Sequence, residues 1–385
     1  MPSLHLSAEE AATRLGVKLA SLYVYVSRGL LRSEPGTGRR RRYRTEEIDR
    51  LIARRDGAEG ALDFGAPVLD SALTQIADGG YAYRGRDALA LAARATLEEV
   101  ACLLWNTGAD IPFGRSNLPL PIVSPKTTVD GSIRLQAMLP MAGAADSGGS
   151  ALDKNARAAA AGRVLRFVAG ALVGRPPSPQ AADAVLAERW QLDRTASKLL
   201  RAALVLCADH ELNASSFVAR CVASTGASLY DSVSGGLAAL QGPRHGGAPR
   251  RAATWLREID ASDDVERAVA DRARRGDGFP GFGHPLYPDG DPRARFLTDA
   301  LAKAYPRNPI QRHMREVAEV VARQTGTPAN VDFSLVALAR VLGLPENAPL
   351  LIFTLGRTVG WLAHALEQQD SGRLIRPRAR YTGPV

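Results

Sequence analysis

From about residue 60 onward, apolar residues recur three and four positions apart in one long segment after another. Thr96–Trp105, Ala156–Leu172, Ala181–Ala208 and Asp332–Val341 all carry this spacing. A 3.6-residue period gathers such side chains on one helix face, whereas a strand needs strict alternation. No series of alternating segments is found, so an all-α fold is expected here rather than a sheet architecture. With 385 residues, 45% of them hydrophobic and 23% charged, the chain has room for two or three domains with real cores. Gly/Pro-rich breaks fall at Phe113–Thr128, Ser147–Ser150, Gly242–Gly247 and Gly276–Pro292, and no heptad or longer repeat is evident.

The most apolar run, Leu350–Leu366, is interrupted by Arg357 and His364 and does not read as a membrane span. MPSLHLSAEEAATRLG has acidic residues where a signal peptide would have its apolar core. Cys102, Cys207 and Cys221 are odd in number and none has CxxC spacing. Neither a disulfide framework nor a metal site is expected, and the expected location is cytoplasmic.

The first sixty residues read as a unit of their own. Of the net charge of +9, residues 1–57 supply more than half, with twelve Lys/Arg against seven Asp/Glu. Ser7 and Glu10 form a capping-box pattern ahead of Ala11, Ala12 and Leu15, and Gly16 stops that helix. Ser21 opens a second helix with Leu22, Tyr25 and Val26 on one face, ended by Gly29. Ser33–Gly38 is a turn signal, Arg39–Tyr43 an extended basic stretch, and Thr45–Arg55 a third helix. This order is that of a winged helix-turn-helix. LSAEEAATRLGVKLASLYVYVSRGLL resembles the MerR/excisionase type of that fold. The resemblance implies DNA as a partner of residues 1–58, with Arg28 on the recognition helix and Arg39, Arg40, Arg41, Arg42 and Arg44 in the wing. The competing reading of the same residues is a helical docking module without DNA.

Short catalytic motifs such as Walker A, GxGxxG after a strand, HExxH and GxSxG are absent. Two histidines stand in Gly/Pro-rich loops: His245 in GPRHGG and His284 in GFPGFGHPLYPDGDPR. Such loops bring backbone close to a ligand, and an imidazole there can exchange a proton near neutrality. His210, in LVLCADHELNASS, follows an apolar helix and by itself reads as a hydrogen-bonded core histidine. Arg357 projects from an apolar stripe between Phe353 and Trp361, so it needs an anionic partner. Neither Glu346 nor Glu367 has the spacing to supply one on the same helix, which leaves a protein carboxylate and a ligand anion equally open. Asp332, in TPANVDFSL, opens an apolar helix, where a plain capping role is the simpler reading.

Together these segments resemble citrate synthase. GAPVLDSAL from Gly65, YAYRGRDALALAARATLEEVACLLW from Tyr81 and HELNASSFVARCVASTGASLYDSVSGGLAALQGPRHGGA from His210 carry the likeness. GFGHPLYPDGDPRA, NVDF, GRTVGWLAH and RPRARYTG follow in order, so the resemblance runs from about residue 65 to 385. It implies a two-domain helical fold over residues 59–385, with a large domain of about 65–246 and 343–385 and a small domain of about 247–342. It also implies condensation of acetyl-CoA with oxaloacetate to citrate and CoA, an acyl transfer without a further cofactor, acetyl-CoA being the co-substrate. Asp332 would take the methyl proton, His245 would hydrogen-bond the enolate oxygen, and His284 would polarise and protonate the ketone. His210, Arg293, Arg357 and Arg376 would hold the carboxylates, Arg376 reaching across a homodimer into a shared site.

Two departures stand out. Pro285 and Pro288 occupy positions where the family commonly has basic residues, the latter associated with CoA phosphate, and the N-terminal module is an addition. Two alternatives share the same residues: a 2-methylcitrate synthase using propionyl-CoA, and a DNA-binding regulator using the synthase fold as a metabolite sensor.

Overall fold

The computed structural model describes residues 5–15, 33–35, 41–45, 69–77, 79–119, 130–146 and 153–377, with single positions at 17, 19, 22, 23, 26, 31, 48 and 383. The chain divides into two compact units, Met1–Asp70 and Ser71–Val385.

In the first unit, β1 (His5–Ser7) leads into α1 (Ala8–Leu15), and β2 (Glu34–Pro35) and β3 (Arg41–Arg44) complete an antiparallel sheet in the order β1-β3-β2. The capping box is present: Ser7 N–H donates to Glu10 at 2.8 Å and Glu10 N–H to Ser7 Oγ at 3.2 Å. Ala11, Ala12 and Leu15 of α1 bury against Leu22, Leu31, Tyr43 and Ile48, a small core of its own. Most of the second and third helices expected from the sequence, with Ser21, Arg28, Arg39 and Arg40, lies outside the described residues.

The second unit opens with something the sequence reading lacked. β4 (Thr74–Ala77), β5 (Gly80–Tyr83) and β6 (Arg86–Asp87) form an antiparallel sheet. Its strands are two to four residues long. That is too short for alternation to register as a pattern, although Tyr81 and Tyr83 do both turn inward.

Helices follow: α2 (Ala88–Arg94), α3 (Leu97–Trp105), α4 (Asp110–Phe113), α5 (Gly131–Ala145), α6 (Lys154–Val173), α7 (Ala182–Arg189) and α8 (Arg194–Leu206). After these come α9 (Ala214–Ser224), α10 (Leu229–Leu240), α11 (Ala248–Asp260), α12 (Val265–Arg274), α13 (Pro292–Ala304), α14 (Pro309–Thr325), α15 (Val331–Val341) and α16 (Ala348–Ser371). Caps written in the sequence set many of the starts. Thr96 and Glu99 make a capping box for α3, Ser228 and Asp231 one for α10, and Asp193, Asn213 and Asn330 cap α8, α9 and α15. The segment read as continuous at Ala181–Ala208 is two helices, broken after Arg189 where Gln191 adopts a left-handed φ of 53°.

α16 is the axis of this unit. Its length and hydropathy would suit a membrane span, but its residues are almost all buried, against α3, α6, α8, α9 and α10. Leu355, Trp361 and Leu362 are fully enclosed, so truncating either leucine to alanine would cost about 2–5 kcal/mol. The close crossing of α16 over the end of α8 depends on Gly360. A Cβ there would fall 2.4 Å from Ala208 O and 2.5 Å from Asp209 Oδ1.

Candidate active site

Two buried arginines organise the site. Arg357, 1% exposed on α16, donates from Nε to Cys207 O at 2.9 Å and lies 4.8 Å from the centre of the Phe353 ring. Neither glutamate near it in sequence serves it, because Glu346 pairs with Arg257 and Glu367 with Arg220. Burial depresses the guanidinium's pKa, and the carboxylate that opposes this most is Asp209. Asp209 is fully buried, accepts from Thr74 Oγ1 at 2.5 Å, and has Oδ1 3.3 Å from His364 Nε2. Arg293, at the start of α13, is held in a two-point ion pair by Asp291: Nε to Oδ1 at 2.9 Å and Nη2 to Oδ2 at 2.8 Å. Burial would weaken that charge, but Asp291 outweighs it and raises the guanidinium's pKa.

The histidines gather about this pair. His210 is 6% exposed, with its ring centre 5.2 Å from that of His284 and its Nε2 2.9 Å from Tyr287 Oη. Burial, reinforced by Arg293 and Arg357, lowers its pKa well below that of a free imidazole. His284 is pushed down to about 4 by burial and by Arg293, and His245 to about 4 by burial and by Arg357. All three are therefore neutral near pH 7. His284 Nδ1 accepts the Leu286 N–H at 3.2 Å, so a neutral ring carries its proton on Nε2. His245 Nε2 lies 2.8 Å from Ser215 Oγ, which also accepts from Trp361 Nε1 at 3.0 Å.

Asp332 sits at the second position of α15 and is not the cap. That role belongs to Asn330, whose Oδ1 accepts the Asp332 N–H at 3.0 Å. The sequence's plain capping reading of Asp332 therefore gives way to a carboxylate free for other work. Burial raises its pKa to about 6, with Arg293 and Arg357 pulling the other way and Asp291 adding to the rise. The His284 loop is tied to this segment: Asn330 Nδ2 donates to Gly283 O at 2.8 Å, and Gly283 N–H to Pro328 O at 2.8 Å. Gly283 has φ 75°, and a Cβ there would meet Thr327 Cγ2 at 2.8 Å, so the loop needs glycine to approach this closely.

The structure thus brings His210, His284 and Asp332 within electrostatic reach of Arg293, and His210, His245 and Asp332 within that of Arg357. It does not bring in Arg376, which is exposed on the tail after α16 and makes no hydrogen bond or ion pair among the described residues. Sequence reasoning missed Asp209, Ser215, Tyr287, Asp291 and Asn330. Of these, Tyr287 and Asp291 lay in the histidine loop already singled out, and Asn330 in the segment TPANVDFSL that carries Asp332. In the first unit, Arg44 Nε donates to Glu34 at 2.8 Å and Arg41 to Ser33 at 2.6 Å, while the exposed Arg42 side chain makes neither hydrogen bond nor ion pair among the described residues. No cluster of three or more His, Cys, Asp or Glu side chains suited to a metal ion is found among the described residues.

The family of the citrate synthase C-terminal domain matches residues 125–378, and a helix-turn-helix domain matches residues 6–56. Citrate synthase 2 of Bacillus subtilis is 30% identical over 83% of this chain and 95% of its own length. The 2-methylcitrate synthase of Shewanella oneidensis is 33% identical over 49% of this chain and 51% of its own. The crystal structure of citrate synthase from Thermotoga maritima superimposes with a TM-score of 0.69 at 28% identity, covering 83% of this chain and 94% of that one.

Proposed function

The chain belongs to the citrate synthase family, with a helix-turn-helix domain at its N-terminus, and on that premise we propose that it condenses acetyl-CoA with oxaloacetate to give citrate and CoA. The observation that carries this reading is a carboxylate whose pKa is raised to about 6, in one site with uncharged imidazoles and a buried Arg357 guanidinium whose Nε hydrogen bond goes to a backbone carbonyl and not to a carboxylate. A thioester methyl is a very weak acid, so a carboxylate base succeeds only if the enolate is stabilised as it forms. Asp332 removes the methyl proton while His245 donates a hydrogen bond to the thioester oxygen. For that bond the His245 proton must be on Nδ1, which follows when the Ser215 hydroxyl donates its hydrogen bond to Nε2. The nucleophilic carbon then forms its bond to the ketone carbon of oxaloacetate. The ketone oxygen takes the proton that the Leu286 contact keeps on His284 Nε2, and the proton that Asp332 removed is returned to the imidazole through solvent, so that both groups end as they began. Water then cleaves the citryl-CoA thioester, releasing citrate and CoA. His210, Arg293 and Arg357 hold the two carboxylates, acyl-CoA being a co-substrate throughout.

We further propose a homodimer in which Arg376 serves the partner's site. Its support is an apolar stripe on α5, where Ile133, Ala137 and Met141 are exposed at successive turns, and an exposed Arg376 on the segment after α16. A second substrate reading, propionyl-CoA giving 2-methylcitrate, draws on the similarity to the Shewanella protein. Free-thiol release from acetyl-CoA and from propionyl-CoA, each with and without oxaloacetate, tests both. Release that requires oxaloacetate is expected, and its absence with either thioester would leave the synthase fold as a metabolite sensor.

A further inference from the structure

We propose that Tyr287 is a positioning residue of this site: its hydroxyl sets the orientation and tautomer of His210, and its ring keeps His284 and Arg293 in place around it. The residue is 2% exposed, deep in the loop between His284 and α13. Its ring centre lies 5.0 Å from that of His284 and 5.5 Å from that of His210, with the Arg293 guanidinium 5.9 Å away. One aromatic ring thus touches three groups assigned to the oxo acid. Its backbone is fixed from several sides. Tyr287 N–H donates to His284 O at 2.9 Å, Gly290 N–H donates to Tyr287 O at 3.1 Å, and Pro285 and Pro288 restrict φ on either side. Pro285 and Pro288 therefore restrain the backbone on both sides of Tyr287.

Proton placement gives the arrangement its consequence. Tyr287 Oη has a single hydrogen-bond partner among the described residues, His210 Nε2 at 2.9 Å. Burial pushes the phenol up to about 12, so it stays protonated, and as His210 Nε2 is its one acceptor among the described residues, the hydroxyl's proton goes there. A neutral His210 accepting at Nε2 must carry its own proton on Nδ1. Nδ1–H is then a fixed donor for an anion, whereas an imidazole without that bond shares its proton between both nitrogens. The functional consequence rests on the oxo-acid reading above; the tautomer does not.

The test is Tyr287→Phe, read in two ways. First, nitrogen-15 NMR of the ligand-free protein should show His210 as the Nδ1–H tautomer in wild type and as a mixture in the variant. Second, the dissociation constant for oxaloacetate should rise about three- to tenfold, the scale of one hydrogen bond. The change should fall to less than twofold in a His210→Ala background. An Nε2–H tautomer in wild type, or a His210 signal unchanged in Tyr287→Phe, overturns the inference. If wild type binds no oxaloacetate, the condensation reading fails, and the NMR result still decides the role of Tyr287.

Discussion

His245 Nε2 lies 2.8 Å from Ser215 Oγ, and the Ser215 proton has a second acceptor, Asn213 Oδ1, at 2.9 Å. Trp361 Nε1–H occupies the serine oxygen at 3.0 Å, so the hydroxyl chooses between the asparagine and the histidine. Only the second choice leaves His245 with a proton on Nδ1 to offer an enolate. Ser215→Ala should therefore cut kcat by about 10- to 100-fold, with the oxaloacetate KM changed little. Steady-state kinetics with both substrates varied checks this. Turnover within twofold of wild type would remove Ser215 from the account of His245.

Asp332 gives two predictions with opposite signs. Asp332→Asn should lower turnover by about 10²-fold or more while leaving oxaloacetate binding nearly intact. In wild type, kcat should fall as pH drops through about 6, where the base takes up a proton.

Stability should move the other way. A carboxyl whose pKa is raised in the folded state contributes stability that is present below its unfolded pKa and lost as pH rises through the folded value, here about 6. At pH 7 the neutral asparagine should make the protein more stable, by on the order of 1–2 kcal/mol given partial exposure. Denaturant titrations at pH 7 and pH 4.5 check this, and the gain should shrink at the lower pH. An equal gain at both would assign it to packing and not to charge.

The sequence made part of this site legible and hid part. His245, His284 and Asp332 announced themselves because glycine-rich loops and an ordered run of family segments surround them. Asp209 did not. It lies 148 positions before Arg357, and only the crossing of α16 over the end of α8 brings the two together. Ser215 and Trp361 are hidden for the same reason, being joined by a helix contact with no local spacing. The sheet at Thr74–Asp87 escaped because hairpins this short depend on packing against the Val205–Asp209 backbone, where the Tyr83 hydroxyl donates to Val205 O at 2.8 Å.

Pro288 bears on the acyl carrier. Arg272, Arg274 and Arg275, the arginines just before the loop in sequence, are already paired with Glu258, Asp271 and Asp277. They are poorly placed to take over a CoA phosphate. Pro288→Lys should lower the KM for acetyl-CoA relative to its dephospho form, by about threefold or more for a charge-assisted contact. An unchanged ratio would mean that the phosphate is met elsewhere.

Subunit mixing tests the shared site. Asp332→Asn and Arg376→Ala subunits, each inactive alone, should regain activity when exchanged, because one site of a mixed dimer keeps both native residues. Exchange is verified by native mass spectrometry. No recovery after proven exchange would place Arg376 outside the partner's site.

The N-terminal domain yields the last prediction, and its structure sharpens which arginines matter. A helix-turn-helix is fixed on DNA by cations that reach phosphate, and a guanidinium committed inside the domain is less free to do so. Arg44 is held by Glu34, which His5 also contacts at 3.0 Å, and Arg41 is held by Ser33. Arg42, on the same strand, is exposed and uncommitted among the described residues. The segment that the sequence marks as a recognition helix contains Ser21, Tyr23, Tyr25, Ser27 and Arg28 as its polar residues, with no Asn or Gln among them, so phosphate contacts should dominate. Duplex binding should therefore weaken steeply with salt and discriminate little between sequences. Arg42→Ala should reduce affinity and lower the salt slope by about one unit, whereas Arg44→Ala should do less, since it first has to leave Glu34. Fluorescence anisotropy at two salt concentrations measures both. If the two variants weaken binding equally, the Glu34 pair does not restrain Arg44, and if wild type binds no duplex at low salt, the domain serves a purpose other than DNA.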